Sequence, residues 1–261
     1  MDNSLIYMKN IPITFAVGVY IESEDRLLNL DRAIDNLTYH FPDSEIIISE
    51  MDTTSKIKGR YNQCKHIFTE TDEFFCRVKA FNIAAYAAKN SVLSLYDADI
   101  IIKKSIIEKS ANLIYEDKMD LVYPYDGRFY DVPKKYHEDV KVNKNLDNID
   151  INECKLSSPQ SVGGVVFGKT DVILKNGCYH ENFLGPGYED NEFYERFVKL
   201  GYRIGRINSP LFHMTHERKE TSFDYSPYVN LNRTEYIRIH NMNKDQLIEE
   251  ISVWNSSRNF K

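Results

Sequence analysis

The chain contains the stretch Ser94-Leu95-Tyr96-Asp97-Ala98-Asp99, an apolar run typical of a buried strand that ends in two carboxylates. Residues two apart in a strand point the same way, so Asp97 and Asp99 are expected to face one point beyond its carboxyl end. Open α/β sheets bind ligands at that edge. Two carboxylates there suit a hard divalent cation such as Mn²⁺ or Mg²⁺, and such an ion suits a diphosphate. The alternative is that both residues only end the strand and cap a helix beginning at Lys104.

Strand and helix patterns alternate on both sides of this stretch. Hydrophobic spacing predicts strands at 11–20, 45–49, 66–69 and 91–96, helices at 24–39, 77–89 and 104–116, and a further strand at 120–125. This βαβαβ order is typical of a doubly wound α/β fold with right-handed crossovers.

The regular alternation is lost in the middle of the chain. Between residues 126 and 153, charges of both signs follow one another without apolar periodicity, which predicts an exposed loop or insertion that could move and close over a ligand. A strand is expected at 161–167, where Gly163 and Gly164 indicate a bulge or the close approach of another group. Further patterns predict a helix at 190–200, a strand at 202–207, and one or two helices within 228–254.

Composition restricts the class of protein. The 261 residues are 42% hydrophobic and 28% charged, which fits one large α/β domain or one domain with an appendage. A net charge of −6 argues against nucleic acid as a partner, and means that a bound nucleotide diphosphate would need a local cation. Four widely spaced cysteines predict reduced thiols and no zinc site. Neither a signal peptide nor a run of transmembrane length is expected.

A first polar cluster precedes the two carboxylates, in the stretch Phe75-Cys76-Arg77-Val78-Lys79-Ala80-Phe81-Asn82. Arg77 begins a helix that leads into the Asp97 strand, so its side chain can reach a phosphate bidentately or pair with Asp97. Asn82 can bind ribose or backbone. The alternative is an exposed arginine on a polar helix face.

A second cluster is Phe183-Leu184-Gly185-Pro186-Gly187-Tyr188-Glu189-Asp190-Asn191-Glu192-Phe193. Its glycines and proline predict a tight turn that delivers Glu189 and Asp190 to a helix N-terminus. Acidic residues are also ordinary helix caps. That alternative explains one acid but not a glycine-flanked pair, and a carboxylate so placed could act as a general base on a sugar hydroxyl.

A third cluster follows the last predicted strand. His213 and His216 lie three residues apart and could both reach one ion, since imidazole is an acceptable Mn²⁺ ligand. The alternative is that the two histidines are near each other only by coincidence.

Taken together, the clusters resemble glycosyltransferases of the GT-A fold, most closely the metal-dependent β-1,4-galactosyltransferase and N-acetylgalactosaminyltransferase group. The resemblance spans residues 11–218 and rests on F-x-R-x-K-x-x-N at 75–82, D-x-D at 97–99, G-x-G-x-E-D at 185–190 and x-x-x-H-x-R at 213–218. The N-terminal half is similar to glycosyltransferase family 2 and the C-terminal half to galactosyltransferases.

The resemblance implies a nucleotide-diphospho-sugar transferase fold with a Rossmann-like, mostly parallel central sheet flanked by helices. We expect this domain at residues 1–218 and a helical extension, packed on the domain or on a partner, at residues 219–261. It also implies that Asp190 is the catalytic base, with Glu189 beside it. The residues implied to bind the nucleotide-sugar are Val19, Tyr20, Glu50, Asp52, Phe75, Arg77, Asn82, Asp97, Asp99, Gly163 and Gly164.

A metal site follows from the same resemblance. Asp99 and His216 match direct ligands of Mn²⁺ (or Mg²⁺), and Asp97 matches a residue that meets the ribose or the ion's water. His213 stands where galactosyltransferases place a methionine ligand, so it is expected to bind the ion as well. The family's tryptophan in the glycine-flanked loop is absent, and Pro186 and Tyr188 occupy its neighbourhood.

The implied activity is metal-dependent transfer of a hexose or N-acetylhexosamine from a UDP-sugar to a glycan hydroxyl, with inversion, in polysaccharide or surface-glycan synthesis. The expected location is the cytoplasm, with room for peripheral association at the inner face of the membrane. One alternative is a nucleotidyltransferase, which usually carries a glycine-rich basic loop where this chain has the acidic segment 19–25. Another is a non-catalytic sugar-nucleotide or carbohydrate-binding module. A two-histidine-one-carboxylate oxygenase fits the strand-borne D-x-D poorly.

Overall fold

A computed structural model describes residues 11–217 and 226–257. Its strands are β1 (Ile13–Val19), β2 (Glu45–Asp52), β3 (Lys65–Glu70), β4 (Val92–Tyr96), β5 (Ile100–Ile101), β6 (Leu121–Tyr123), β7 (Phe129–Val132), β8 (Lys155–Ser158), β9 (Val165–Lys169), β10 (Ile204–Arg206) and β11 (Leu211–Met214). Its α-helices are α1 (Glu24–His40), α2 (Arg77–Tyr86), α3 (Lys104–Tyr115), α4 (His137–Asn143), α5 (Thr170–Lys175), α6 (Glu189–Leu200), α7 (Val229–His240) and α8 (Lys244–Ser257).

The central sheet has seven strands in the order β10-β6-β9-β4-β1-β2-β3. Strands β1, β2, β3 and β4 are parallel to one another, and β6 is parallel to β10, whereas β9 lies between β4 and β6 and runs antiparallel to both. The mostly parallel, Rossmann-like sheet predicted from the alternation is therefore confirmed, and the carboxyl ends of β1 and β4 lie side by side.

Apolar burial explains why these segments form these elements. The three isoleucines of β2, Ile46, Ile47 and Ile48, are all buried, as expected for a parallel strand covered on both faces. Helix α1 begins at the N-cap Ser23, whose side chain accepts from the Arg26 N–H, and it buries an apolar face formed by Leu30, Ala33, Ile34 and Leu37. Each fully buried aliphatic side chain of this kind contributes roughly 1.5–3 kcal/mol.

A second, smaller sheet lies beside the first, in the order β5-β11-β7-β8. Strand β5 follows Asp99 directly, and β11 carries His213. The two strands pair antiparallel with His213 opposite Ile100, and β11 pairs parallel with β7 so that His213 is opposite Asp131. The small sheet therefore places Asp99, the last residue of the D-x-D motif, next to His213.

The prediction that residues 126–153 form an exposed loop is wrong, because this segment is folded. It contains β7 and α4, and its apolar residues Val132, Val140 and Leu146 are each no more than 4% exposed. Side chains of α1 hold it in place, since Arg32 donates to the His137 carbonyl and Asn36 to the Lys144 carbonyl. Its short apolar runs find partners only in the tertiary structure, so local periodicity does not reveal them. The mobile lid inferred from composition has no support in this arrangement.

The two C-terminal helices, α7 and α8, pack against α6. Their buried side chains include Ile239, Leu247, Ile251 and Trp254, which join the same apolar core as the central sheet. The expected domain boundary at residue 218 lies outside the described residues, as does Arg218 itself. The four cysteines form no disulfide bond with one another. In the described part of the chain, helices are too short or too polar to span a membrane.

Candidate active site

A cleft of about 320 Å³ opens at the carboxyl ends of β1 and β4. It gathers residues from both sheets and from the start of α6. The residues that line it are Gly18, Val19, Tyr20, Ile21, Arg26, Phe75, Arg77, Asp97, Ala98, Asp99, Phe129, Gly185, Pro186, Glu189, Asp190, His213 and His216. The D-x-D stretch and the three polar clusters identified in the sequence thus all contribute residues to this cleft.

The two carboxylates after β4 do not share one target. Asp97 Oδ1 accepts from Nε and Nη2 of Arg77, at 3.1 and 2.7 Å, whereas Asp99 Oδ2 faces the two histidines. The chain leaves the strand at Tyr96 and turns, with the Ile100 N–H donating to the Asp97 carbonyl. Strand alternation therefore no longer applies at Asp97, whose Oδ1 faces Arg77 rather than the two histidines.

Asp99, His213 and His216 form a compact set of potential metal ligands. Their ligand atoms all lie within 4.8 Å of one another, and Asp99 Oδ2 is 3.5 Å from His213 Nε2 and 3.3 Å from His216 Nε2. In both rings Nδ1 is engaged elsewhere, His213 with Asp131 Oδ1 at 2.8 Å and His216 with the Glu217 carbonyl at 2.7 Å. These acceptors place a proton on Nδ1 and direct Nε2 toward Asp99. Two imidazoles and one carboxylate in this arrangement fit a divalent cation of the Mn²⁺ type.

The charges around this set indicate what an ion would replace. Burial raises the pKa of Asp99, but His213 and His216 outweigh it and hold that pKa well below its ordinary value. Burial lowers the pKa of His213, whereas Asp99 and Asp131 raise it, with a net rise to about 9. A cation held by these ligands would take the place of the Nε2 proton, because an imidazole ligand must be neutral at the coordinating atom.

Arg77 ties together three carboxylates from two parts of the chain. Its Nη1 lies 3.3 Å from Glu189 Oε1 and 3.2 Å from Asp190 Oδ1, while Nε and Nη2 bind Asp97. Its guanidinium also lies over the ring of Phe81, 4.7 Å from the centroid. Of the two roles expected for Arg77, the structure shows the pairing with Asp97.

Burial and crowding shift the pKa values of this network. Burial raises the pKa of Asp97 to about 6, against the attraction of Arg77. Burial and the neighbouring Asp190 raise the pKa of Glu189 to about 7, again against Arg77. Burial opposes the charge of Arg77, but Asp190 and Asp97 outweigh it and raise its pKa. The cleft thus holds carboxylates that exchange protons near neutral pH, which is typical of catalytic sites.

Asp190 is the more accessible of the two acids at the start of α6, with 21% of its side chain exposed against 7% for Glu189. Its Oδ1 accepts from the Tyr179 hydroxyl at 2.6 Å, and its Oδ2 lies against Gly163. Glu189 Oε2 accepts from the Gly187 N–H at 2.6 Å. The glycine-flanked turn therefore fixes Glu189 and leaves Asp190 facing the cleft, as a base must.

Some residues expected at the nucleotide do not reach the cleft. Asn82 is fully buried. Its side-chain amide donates to the Tyr179 carbonyl and to Glu181, and it accepts from the Tyr179 N–H. Glu50 is likewise buried; it accepts from the Ser55 hydroxyl, the Lys56 N–H and His66. Their expected contacts with a nucleotide are corrected on these grounds, because a motif position does not state which way a side chain points.

Three other expected residues, Asp52, Gly163 and Gly164, are not among those that line the cleft. Asp52 accepts from the Thr53 N–H at the end of β2. Gly163 contacts Asp190, and Gly164 (φ +89°) accepts from the Asp97 N–H through its carbonyl. The close approach expected at the paired glycines is therefore present, to the Asp190 carboxylate at Gly163 and to the Asp97 backbone at Gly164.

One residue that matters to the site, Asp131, was missed in the sequence. Asp131 lies within the segment expected to be a loop, and the short alternation Phe129-Tyr130-Asp131-Val132 is the only local signal of its strand. Of the two residues near the missing tryptophan, Pro186 lines the cleft, whereas Tyr188 stacks on Tyr236 of α7 at 5.4 Å.

Comparisons with known proteins agree with this architecture. Residues 146–220 match the protein family described as the N-terminal domain of galactosyltransferase. The structure is similar to that of S. aureus TarS 1-349 in complex with UDP-GlcNAc, with a TM-score of 0.54, 15% identity, and 95% of this chain and 73% of that chain covered. It is also similar to the catalytic domain of Drosophila beta1,4galactosyltransferase 7 in complex with xylobiose, with a TM-score of 0.53, 18% identity, and coverage of 90% and 83%. No curated protein matches the sequence.

The fold is thus that of the GT-A glycosyltransferases, as the resemblance in the sequence predicts. The matched galactosyltransferase segment runs from residue 146 to the second histidine and beyond, and so includes Asp190, His213 and His216. Fold and family match together support a glycosyltransferase enzyme.

Proposed function

We propose that the protein transfers a hexose or N-acetylhexosamine from a UDP-sugar to a glycan hydroxyl, with a divalent cation, preferably Mn²⁺, held by Asp99, His213 and His216. The observation that carries the proposal is the meeting of this ligand set with Arg77 and Asp190 in one cleft. The UDP-GlcNAc bound to TarS supports a UDP-sugar donor. The xylobiose bound to beta1,4galactosyltransferase 7 supports a glycan acceptor.

The donor is expected to lie across the carboxyl ends of β1 and β4. Val19 and Tyr20 end β1 at the cleft, and Phe75 stacks on Tyr20 with ring centroids 5.5 Å apart, so these residues offer an apolar wall to the base. The cation, when bound, supplies positive charge that stabilises the departing diphosphate. Asp97, linked to Arg77, is then left to meet the ribose or a water.

Asp190 takes the part of the general base. The acceptor oxygen attacks the anomeric carbon as the bond from that carbon to the diphosphate breaks, and the hydroxyl proton passes to Asp190. Oδ2 is the oxygen proposed to take this proton, because Oδ1 already accepts from Tyr179 and Arg77. Attack opposite the leaving group inverts the configuration at the anomeric carbon.

Such an enzyme belongs to polysaccharide or surface-glycan synthesis. Its cysteines, which form no disulfide bonds, support a reducing compartment, so we place it in the cytoplasm, with contact to the inner face of the membrane through its acceptor.

The test is a panel of UDP-sugars screened for Mn²⁺-dependent release of UDP, with the anomeric configuration of the product determined by NMR. Asp99→Ala should lose both metal and nucleotide binding. Asp190→Asn should bind the donor normally yet turn over at least about 100-fold more slowly, in line with the contribution of a general base. Binding of a UDP-sugar without any turnover by the wild-type protein would instead identify a non-catalytic sugar-nucleotide module.

A further inference from the structure

A buried carboxylate stands directly behind one of the proposed metal ligands. Asp131 on β7 is the register partner of His213 on β11, and its Oδ1 accepts a 2.8 Å hydrogen bond from His213 Nδ1. The other carboxylate oxygen accepts from the hydroxyl of Ser157, on the neighbouring strand β8. Asp131 is only 8% exposed, and it contacts the His213 ring on the side away from the cleft without lining the cleft itself.

We propose that Asp131 is a positioning residue for the metal site, which fixes the ring of His213 so that Nε2 faces Asp99 and His216. The inference rests on the proposed function, because it takes these three residues as the ligands of the ion. A carboxylate that accepts the second N–H of a ligating histidine sets the tautomer and orientation of the ring and makes the other nitrogen a stronger donor.

The two histidines differ in how they are held. His216 Nδ1 donates to the backbone carbonyl of the next residue, Glu217. Any amino acid at position 217 has this carbonyl. His213 depends on a side chain that comes from a different strand, 82 residues earlier in the chain. Loss of that side chain frees the ring to rotate about its bond to the β-carbon. The ligand set is therefore expected to be more sensitive to substitution of Asp131 than to substitution at residue 217.

A comparison with another buried aspartate separates this role from ordinary structural pairing. Asp120 is also 8% exposed, but it pairs with Arg203 at 2.8 Å and with Lys169 at 2.7 Å, outside the cleft. Two permanent cations compensate Asp120, whereas the partner of Asp131 is an imidazole that also faces the proposed ion site. Asp120 is thus the matched control for the cost of removing a buried carboxylate.

The experiment is a titration of the full chain with Mn²⁺ alone and with Mn²⁺ plus UDP. Binding is measured as the loss of the free Mn²⁺ signal in electron paramagnetic resonance. Asp131→Ala should weaken Mn²⁺ binding by about 10–100-fold. Asp131→Asn should recover part of the loss, because its amide oxygen still accepts from Nδ1. Asp120→Ala should lower the melting temperature and leave Mn²⁺ affinity unchanged.

A double-mutant cycle with His213→Met decides between positioning and a general structural effect. Methionine keeps a soft ligand atom but has no N–H for Asp131 to orient, so Asp131→Ala should cost little further affinity in that background. An equal loss in both backgrounds would overturn the proposal. Should Asp131→Ala fail to fold, Asp131→Asn enters the same cycle with the same opposing outcomes.

The two levels of the argument fail differently. If the wild-type protein takes up no Mn²⁺, with or without UDP, the ligand set and the metal-dependent part of the proposed function are both wrong. If the wild-type protein binds Mn²⁺ and Asp131→Ala binds it equally well, only the role of Asp131 is refuted.

Discussion

Asp190 lies directly against the backbone of Gly163, so closely that a β-carbon on residue 163 would overlap its Oδ2 atom. The carboxylate cannot easily move aside, because Oδ1 is held by the Tyr179 hydroxyl at 2.6 Å and by Arg77 Nη1 at 3.2 Å. The paired glycines noticed in the sequence thus make room for the proposed base.

The first prediction is that Gly163→Ala lowers kcat by about 10–100-fold, because an added methyl group displaces the Asp190 carboxylate by a distance on the order of 1 Å. Mn²⁺ binding should persist, since no metal ligand contacts residue 163. Steady-state kinetics with the donor found in the UDP-sugar screen, together with Mn²⁺ titration, measure both. Gly205→Ala is the control, because its β-carbon would meet only the flexible side chain of Met119, at 3.3 Å. Wild-type kcat in Gly163→Ala would contradict the contact.

The second prediction concerns the hydroxyl that holds Asp190. Tyr179→Phe keeps the ring that packs on Phe193 but removes the donor to Oδ1, so kcat should fall about 10-fold while the KM for the donor stays constant. Tyr202→Phe removes a comparable hydroxyl, bonded to Asn176 at 2.7 Å outside the cleft, and should leave kcat unchanged. A rise in donor KM with constant kcat would show that Tyr179 acts on binding instead.

Sequence reasoning reached the fold and the residues of the cleft for identifiable physical reasons. The alternation of apolar strands with amphipathic helices is local, and it predicts the parallel sheet that places the ends of β1 and β4 together. The D-x-D, the acid pair and the histidines were found because each residue type already suggests its chemistry.

The parts that were missed depend on the tertiary structure. Strand β7 is four residues long and exists through its pairing with β8 and β11, so Asp131 could not be placed behind His213 from sequence. Asn82 and Glu50 were assigned to the nucleotide by motif position, whereas buried hydrogen bonds turn them inward. A motif fixes where a residue lies along its element, and only packing fixes the direction of its side chain.

The third prediction is a pH-dependent stability effect at Glu189. Its pKa is raised from 4.5 to about 7 in the folded protein, first by burial, so the folded state binds more protons than the unfolded state between these values. Stability contributed by protonated Glu189 is therefore present below pH 4.5 and is lost as the pH rises to 7. Glu189→Gln should raise the melting temperature at pH 8 by more than it does at pH 5, as differential scanning calorimetry can measure.

The matched variant for this prediction is Glu192→Gln. Glu192 is also buried, at 2% exposure, but it pairs with the buried Arg196 at 2.6 Å. Its removal leaves Arg196 with an uncompensated charge, so the melting temperature should fall at both pH values. If Glu189→Gln behaves like Glu192→Gln, the ionised form of Glu189 is stabilised by Arg77 more than burial penalises it, and the predicted sign is wrong.

The fourth prediction is that the metal site prefers Mn²⁺ or Co²⁺ to Mg²⁺. Two of its three proposed protein ligands are imidazoles, which bind these transition metals well, whereas Mg²⁺ favours oxygen ligands. UDP release should thus require about ten times more Mg²⁺ than Mn²⁺ for half-maximal rate.

His216→Ala should weaken Mn²⁺ binding more than Mg²⁺ binding, because it removes a nitrogen ligand and leaves the oxygen of Asp99. His66→Ala serves as the control, since His66 binds Glu50 on β2 and contributes nothing to the ligand set. Equal activation by the two ions in the wild-type protein would mean that Asp99 and the diphosphate, rather than the histidines, hold the cation.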